Sequence, residues 1–132
     1  FQTLISELVG LPVANLSLYD GSTAAAEALT CAVRVHNRKA SQSNTVYVSE
    51  LIPPDKMSVM ENYCQGAEII IKTLKHNADG TLDLGGLKEA AGSCGVYLEQ
   101  PNPLGILDEG LITVKDIIGA NTALIVGVNP FR

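Results

Sequence analysis

Two periods of hydrophobic and polar residues alternate along this chain. Residues 1–9 carry Leu4, Ile5, Leu8 and Val9 at helical spacing. Residues 22–38 predict a long helix whose apolar stripe is Ala25, Ala28, Leu29, Ala32, Val33 and Val35. The polar loop Ala40 to Asn44 ends it, and Thr45-Val46-Tyr47-Val48-Ser49 follows as a short buried strand. Pro53-Pro54-Asp55 opens a second long helix, since proline suits a first turn. Its inner face is expected to hold Met57, Met60, Tyr63 and Cys64, with Gly66 as its end. Residues 68–74 predict a second strand, 96–99 a third and 123–128 a fourth. Between them, Asn77-Ala78-Asp79-Gly80 is a turn, Asp83 caps a short helix reaching Ala91, and residues 111–119 form another. Strands that are apolar on both faces, alternating with helices, imply an α/β fold: three layers, with a mostly parallel sheet covered on both sides.

Such sheets collect ligands at the carboxyl ends of their strands. That directs attention to residues 49–54, 100–109 and 128–132, and to the turn Tyr19-Asp20-Gly21-Ser22-Thr23 that opens the long helix. Gly21 supplies backbone freedom, and Ser22 or Thr23 can cap the alanine-rich helix that follows. A helix start with free N–H groups and two hydroxyls suits a phosphate, and equally suits an ordinary cap. Pro101-Asn102-Pro103-Leu104-Gly105 leaves the third strand. Asn102 would stand there at the rim with an amide able to donate to a ligand oxygen, or simply in a turn.

Composition narrows the classes. At 132 residues the chain is one domain or part of one, and both ends read as cut from something longer. A hydrophobic content of 46% against 17% charged residues supports a packed core. The net charge of −5 argues against nucleic acid as a partner. No apolar run approaches the roughly eighteen residues of a membrane span, and no secretory leader is visible. A cytoplasmic protein is expected.

Cys31, Cys64 and Cys94 are odd in number and widely spaced, so buried free thiols are expected, with neither a disulfide framework nor a metal site. The loop after Lys75 fails as a calcium site, because Gly86 stands where a glutamate is required. The sequon Asn15-Leu16-Ser17 lacks a secretory context. His36 and His76 belong to no cluster and are expected at the solvated surface.

The run Phe1-Gln2-Thr3-Leu4-Ile5-Ser6-Glu7-Leu8-Val9-Gly10-Leu11, with Val13-Ala14-Asn15 and Leu18 through Leu29, closely resembles the glycine decarboxylase (P-protein) family of the glycine cleavage system. Within that family it is most similar to the alpha subunit found where the protein is split in two. The resemblance implies the type I fold of pyridoxal-phosphate (PLP) enzymes. This chain, residues 1–132, would be a single partial domain, a piece of the large domain of the aspartate aminotransferase-like fold.

By the same resemblance Gly21, Ser22 and Thr23 match the loop that cradles the cofactor phosphate. Asn102 matches the asparagine of an Asn-Pro-x-Gly motif that contacts the cofactor's phenolic oxygen. Tyr19 and Asp20 become candidates for a substrate channel or subunit interface.

Three features depart from an active site of that family. Val128, followed by Asn129, stands where an aspartate pairs with the cofactor's ring nitrogen, and without that charge the cofactor is a weaker electron sink. Pro53-Pro54 replaces a His-Pro pair, and the lysine that holds the cofactor would lie beyond Arg132. Lys72, Lys75 and Lys88 show no feature of such a lysine.

The resemblance therefore implies a subunit with no catalytic residue of its own. A PLP-bearing beta subunit would supply the cofactor, glycine would be the substrate, and the lipoyl arm of H-protein would receive the aminomethyl group. An autonomous PLP-dependent aminotransferase or lyase, and a non-catalytic α/β interaction module, are the alternatives.

Overall fold

The computed structural model describes residues 1–15, 17–39 and 42–129. Ala40 and Ser41 of the expected polar loop, and Pro130, Phe131 and Arg132 of the last rim segment, lie outside the described residues.

The helices are α1 (Gln2–Val9), α2 (Gly21–Lys39), α3 (Pro54–Gly66) and α4 (Val114–Ile118). The strands are β1 (Thr45–Ser49), β2 (Ile70–Leu74), β3 (Gly95–Gln100) and β4 (Ala123–Val128). All four are parallel, in the order β2-β1-β3-β4. The α/β class and parallel sheet expected from the sequence are what the chain forms.

Side chains alternate across each strand and feed two separate cores. Val46, Val48, Cys94 and Tyr97 pack on one face with Ala25, Ala26, Leu29 and Val33 of α2 and Met60 and Cys64 of α3. On the other face Tyr47, Val96 and Leu98 pack with Leu82, Leu87, Ala90, Val114 and Ile118. Small residues let α2 come close to the sheet: a Cβ on Gly95 would lie 3.1 Å from that of Ala32.

Several local expectations are corrected. The buried residues of α2 are Ala25, Ala26, Leu29, Ala32, Val33 and His36, while Val35 is exposed. His36 is therefore not a surface residue; it is 5% exposed and its Nδ1 lies 2.9 Å from the Asn121 carbonyl. It continues the 25, 29, 32 spacing onto the inward face. Tyr63 is exposed and only Met60 and Cys64 are buried on α3, because the helix packs on a narrow stripe.

The second strand starts at Ile70, two residues late, since Glu68 takes a left-handed backbone (φ 56°) after α3. As an edge strand β2 leaves Ile70 exposed. The helix expected over 111–119 is a 3-10 turn (Glu109–Thr113) followed by α4, and that expected after Asp83 is a 3-10 turn over Gly86–Ala90.

Cys31 is exposed, whereas Cys64 and Cys94 are buried. Burial pushes the Cys64 thiol up to about 11. The stripe on α1 is only partly covered: Ile5 and Val9 are half-buried, none of its residues is fully buried, and Leu4 and Leu8 are 61% and 66% exposed. Among the described residues no helix is long and apolar enough to cross a membrane.

Candidate functional site at the carboxyl rim of the sheet

The chain steps from β1 outward to β2, then returns across β1 to form β3 and β4. The strand order therefore reverses between β1 and β3, and ligands of open α/β sheets settle outside the carboxyl ends of strands at such a point. Both long helices contribute there: α3 follows β1 and α2 runs antiparallel to the strand it feeds, so their amino termini share this rim.

On the side of α2 and α3 the rim is charged. Asp20 caps α2, its Oδ1 accepting the Thr23 backbone N–H at 2.7 Å. The expectation that Ser22 or Thr23 would be the cap is corrected, because the helix already begins at Gly21 and a carboxylate is the stronger acceptor there. The Thr23 backbone and hydroxyl, the Ser22 N–H and the nearby Lys56 ammonium hold the Asp20 carboxyl below its ordinary value.

Lys56, in the first turn of α3, donates to Glu99 Oε1, and Tyr97 donates to the same oxygen at 3.0 Å. The Lys56 and Glu99 side chains are only 23% and 14% exposed. Burial and the Glu99 charge push the Tyr97 phenol far above its usual range. The glycine at 127 makes this cluster possible, since a Cβ there would lie 2.4 Å from the Tyr97 hydroxyl.

On the opposite side the rim groups are mostly buried and bound mainly to backbone. Asp108 accepts the N–H of Leu82 at 2.7 Å and of Gly110 at 2.9 Å. The Asn102 amide donates to the Gly80 carbonyl at 2.9 Å, and its oxygen accepts from Leu104 and Ile106 at 3.0 and 3.1 Å. Ser49 Oγ lies 3.4 Å from His76 Nε2, and the buried His76 Nδ1 has no hydrogen-bond partner among the described residues. His76 is half-buried here rather than solvated, because the chain turns inward after β2 to bridge Leu82. The cavity these groups enclose is about 10 Å³, room for one water at most.

The structure thus gathers Asp20, Gly21, Ser22 and Thr23 at one rim corner beside Lys56. Asn102 sits on the other side of the sheet, and none of the hydrogen bonds of the described residues links it to Gly21, Ser22 or Thr23. Tyr19 is exposed. Val128 ends β4 opposite Gln100 of β3. Among the described residues no group of three or more His, Cys, Asp or Glu is placed to hold a metal ion.

Sequence reasoning missed Lys56, Glu99 and Tyr97. Two signals pointed to them: a lysine in the first turn of a helix leaving a strand, and a period-2 Tyr-x-Glu at the carboxyl end of another.

The model of the glycine cleavage system P-protein family matches residues 1–131. The chain is 40% identical over 132 residues to a probable glycine dehydrogenase (decarboxylating) subunit 1 of Pyrococcus abyssi, covering 98% of this chain and 29% of that protein. It is 38% identical to the protein of the same name from Oceanobacillus iheyensis, over 98% of this chain and 28% of the relative.

A crystal structure of glycine decarboxylase (P-protein) of the glycine cleavage system, in inhibitor-bound form, superposes with a TM-score of 0.71 at 30% identity. That match covers 95% of this chain and 27% of the other. The chain therefore spans less than a third of the length of these relatives. On this match, which runs through both rim corners, the chain belongs to the glycine cleavage system P-protein family.

Proposed function

We propose that this chain is a portion of subunit 1 of a glycine dehydrogenase (decarboxylating), the subunit that shapes the reaction site without holding the cofactor. The agreement in sequence with subunit 1 proteins over nearly the whole chain carries this reading. In it, a PLP-bearing beta subunit decarboxylates glycine and passes the aminomethyl group to the lipoyl arm of H-protein. This chain helps to form the access channel and the subunit contact, with Tyr19 and Asp20 on the exposed side of that surface.

The residues present do not fit PLP. The helix start that would take a phosphate already binds the Asp20 carboxylate. Lys56 is paired with Glu99, the Asn102 amide oxygen is used by its own turn and its amide nitrogen by the Gly80 carbonyl, and Val128 offers no charge. These commitments support a subunit that leaves cofactor chemistry to its partner.

The test is a titration of the full-length protein with PLP, followed by visible absorbance and borohydride trapping, alone and then with the candidate beta subunit. The expected result is no trapped cofactor on this chain under either condition, and an absorbance band only when the partner is present. Trapping on this chain alone would overturn the reading in favour of an autonomous PLP enzyme.

A further inference from the structure

The corner of the rim where α2 begins combines open space with a cluster of charged groups. The helix is 19 residues long, and a Cβ built on Gly21 meets nothing within 4 Å, so bulk does not block its first turn. The Thr23 N–H of its first turn donates to the Asp20 carboxylate, and the Ala24 N–H to the Asp20 backbone carbonyl. The neighbouring ammonium, Lys56, is matched by Glu99, which Tyr97 holds in place. Two carboxylates therefore face one ammonium and a helix end worth roughly half a positive charge. The balance is slightly negative before any ligand arrives.

We infer that Asp20 and Glu99 are built-in counter-anions that close this corner to phosphate by charge rather than by bulk. The inference deepens the functional reading above and rests on it for the identity of the excluded group, the phosphate of PLP. A phosphate dianion entering here would displace the Asp20 carboxylate from Thr23 N–H and compete with Glu99 for Lys56. Both displaced anions would stay within a few ångströms, where their repulsion is weakly screened. Removing the two charges while keeping their shapes should leave a free ammonium beside a helix start whose neutral cap a phosphate can displace.

The experiment uses the full-length protein and three variants: Asp20→Asn, Glu99→Gln and the double variant. Inorganic phosphate and PLP are the probes, read by calorimetry and by the amide shifts of Ser22 and Thr23. The expected result is no saturable phosphate binding in the parent and binding at least about tenfold tighter in the double variant, weakening with added salt. The amide shifts should move with phosphate only in the variants.

Parent protein that binds phosphate as well as the double variant overturns the inference, and so does a folded double variant that binds no better than the parent. Should the double variant fail to fold, Asp20→Asn alone decides, because its amide oxygen still accepts the Thr23 N–H. About a threefold gain is then expected, and no gain overturns the inference. The two levels separate cleanly. Indifferent variants alongside a parent that traps no cofactor sink the inference and leave the functional reading standing, whereas a parent that traps PLP sinks both.

Discussion

On the α2 and α3 side of the carboxyl rim, Lys56 and Glu99 answer each other as charges that keep some contact with water, beside the exposed Asp20 that caps α2. On the far side of the same sheet, Asn102 and Asp108 are more than nine-tenths buried, and backbone groups answer them. The first arrangement keeps a path to water, so its charged members can be re-solvated as they separate. The groups of the second cannot, since each bond broken strands a buried donor or acceptor. One rim thus carries a fixed wall and an adjustable corner, and a corner that responds to charge is where ligand access is set.

Asp108→Ala should give the largest effect, since it leaves the Leu82 and Gly110 N–H groups without their acceptor. A loss of about 3 kcal/mol is expected in urea unfolding, and a loss below about 1 kcal/mol would erase the distinction between the two sides. Gly127→Ala comes next. Its methyl group would stand 2.4 Å from the Tyr97 hydroxyl and force it off Glu99. Calorimetric melting should register about 2 kcal/mol of destabilisation; an unchanged melting temperature would mean that the cluster yields freely.

Tyr97→Phe removes one hydrogen bond to a carboxylate that retains Lys56. About 1 kcal/mol should be lost in denaturant titration, less than for Asp108→Ala. A loss as large would show the charged corner to be as rigid as the wall.

The smallest effect concerns acid. The Asp20 carboxyl is held below its ordinary value of 3.8 in the folded chain. Its contribution is therefore fully present above that value and disappears as pH falls through the lower, folded one. Asp20→Asn should flatten the acid limb of the stability curve below about pH 4 and leave neutral stability nearly unaltered. An unaltered acid limb would remove Asp20 from the role of cap.

Much of this was legible one residue at a time. Pro53 and Pro54 marked the start of α3, and apolar runs marked four strands. The cap was within reach too, since Asp20 stands three positions before Thr23, the spacing at which an N-cap carboxylate meets a backbone N–H. The burial of His36 was encoded as well. Extending the stripe of Ala25, Leu29 and Ala32 by one more step lands on it, and only its polarity concealed the fact.

The pairing of Lys56 with Glu99 was not legible. The two are 43 positions apart, and nothing local in either segment specifies the other. The same holds for Asn102. Its turn chemistry was plain in the sequence, but the Gly80 carbonyl that engages its amide arrives from a different connection.

The sequence by itself determined the order of the strands and long helices, the parallel sheet and the long helix that follows the turn at Tyr19-Asp20. Each follows from backbone propensity and hydrophobic period within a short window. Tertiary structure alone decided that the strand order reverses between β1 and β3, and which side of the sheet each rim residue faces. It also decided that the Lys56 ammonium of this rim already holds the Glu99 carboxylate. These are properties of contacts between distant segments, and such contacts exist only once both faces of the sheet are buried.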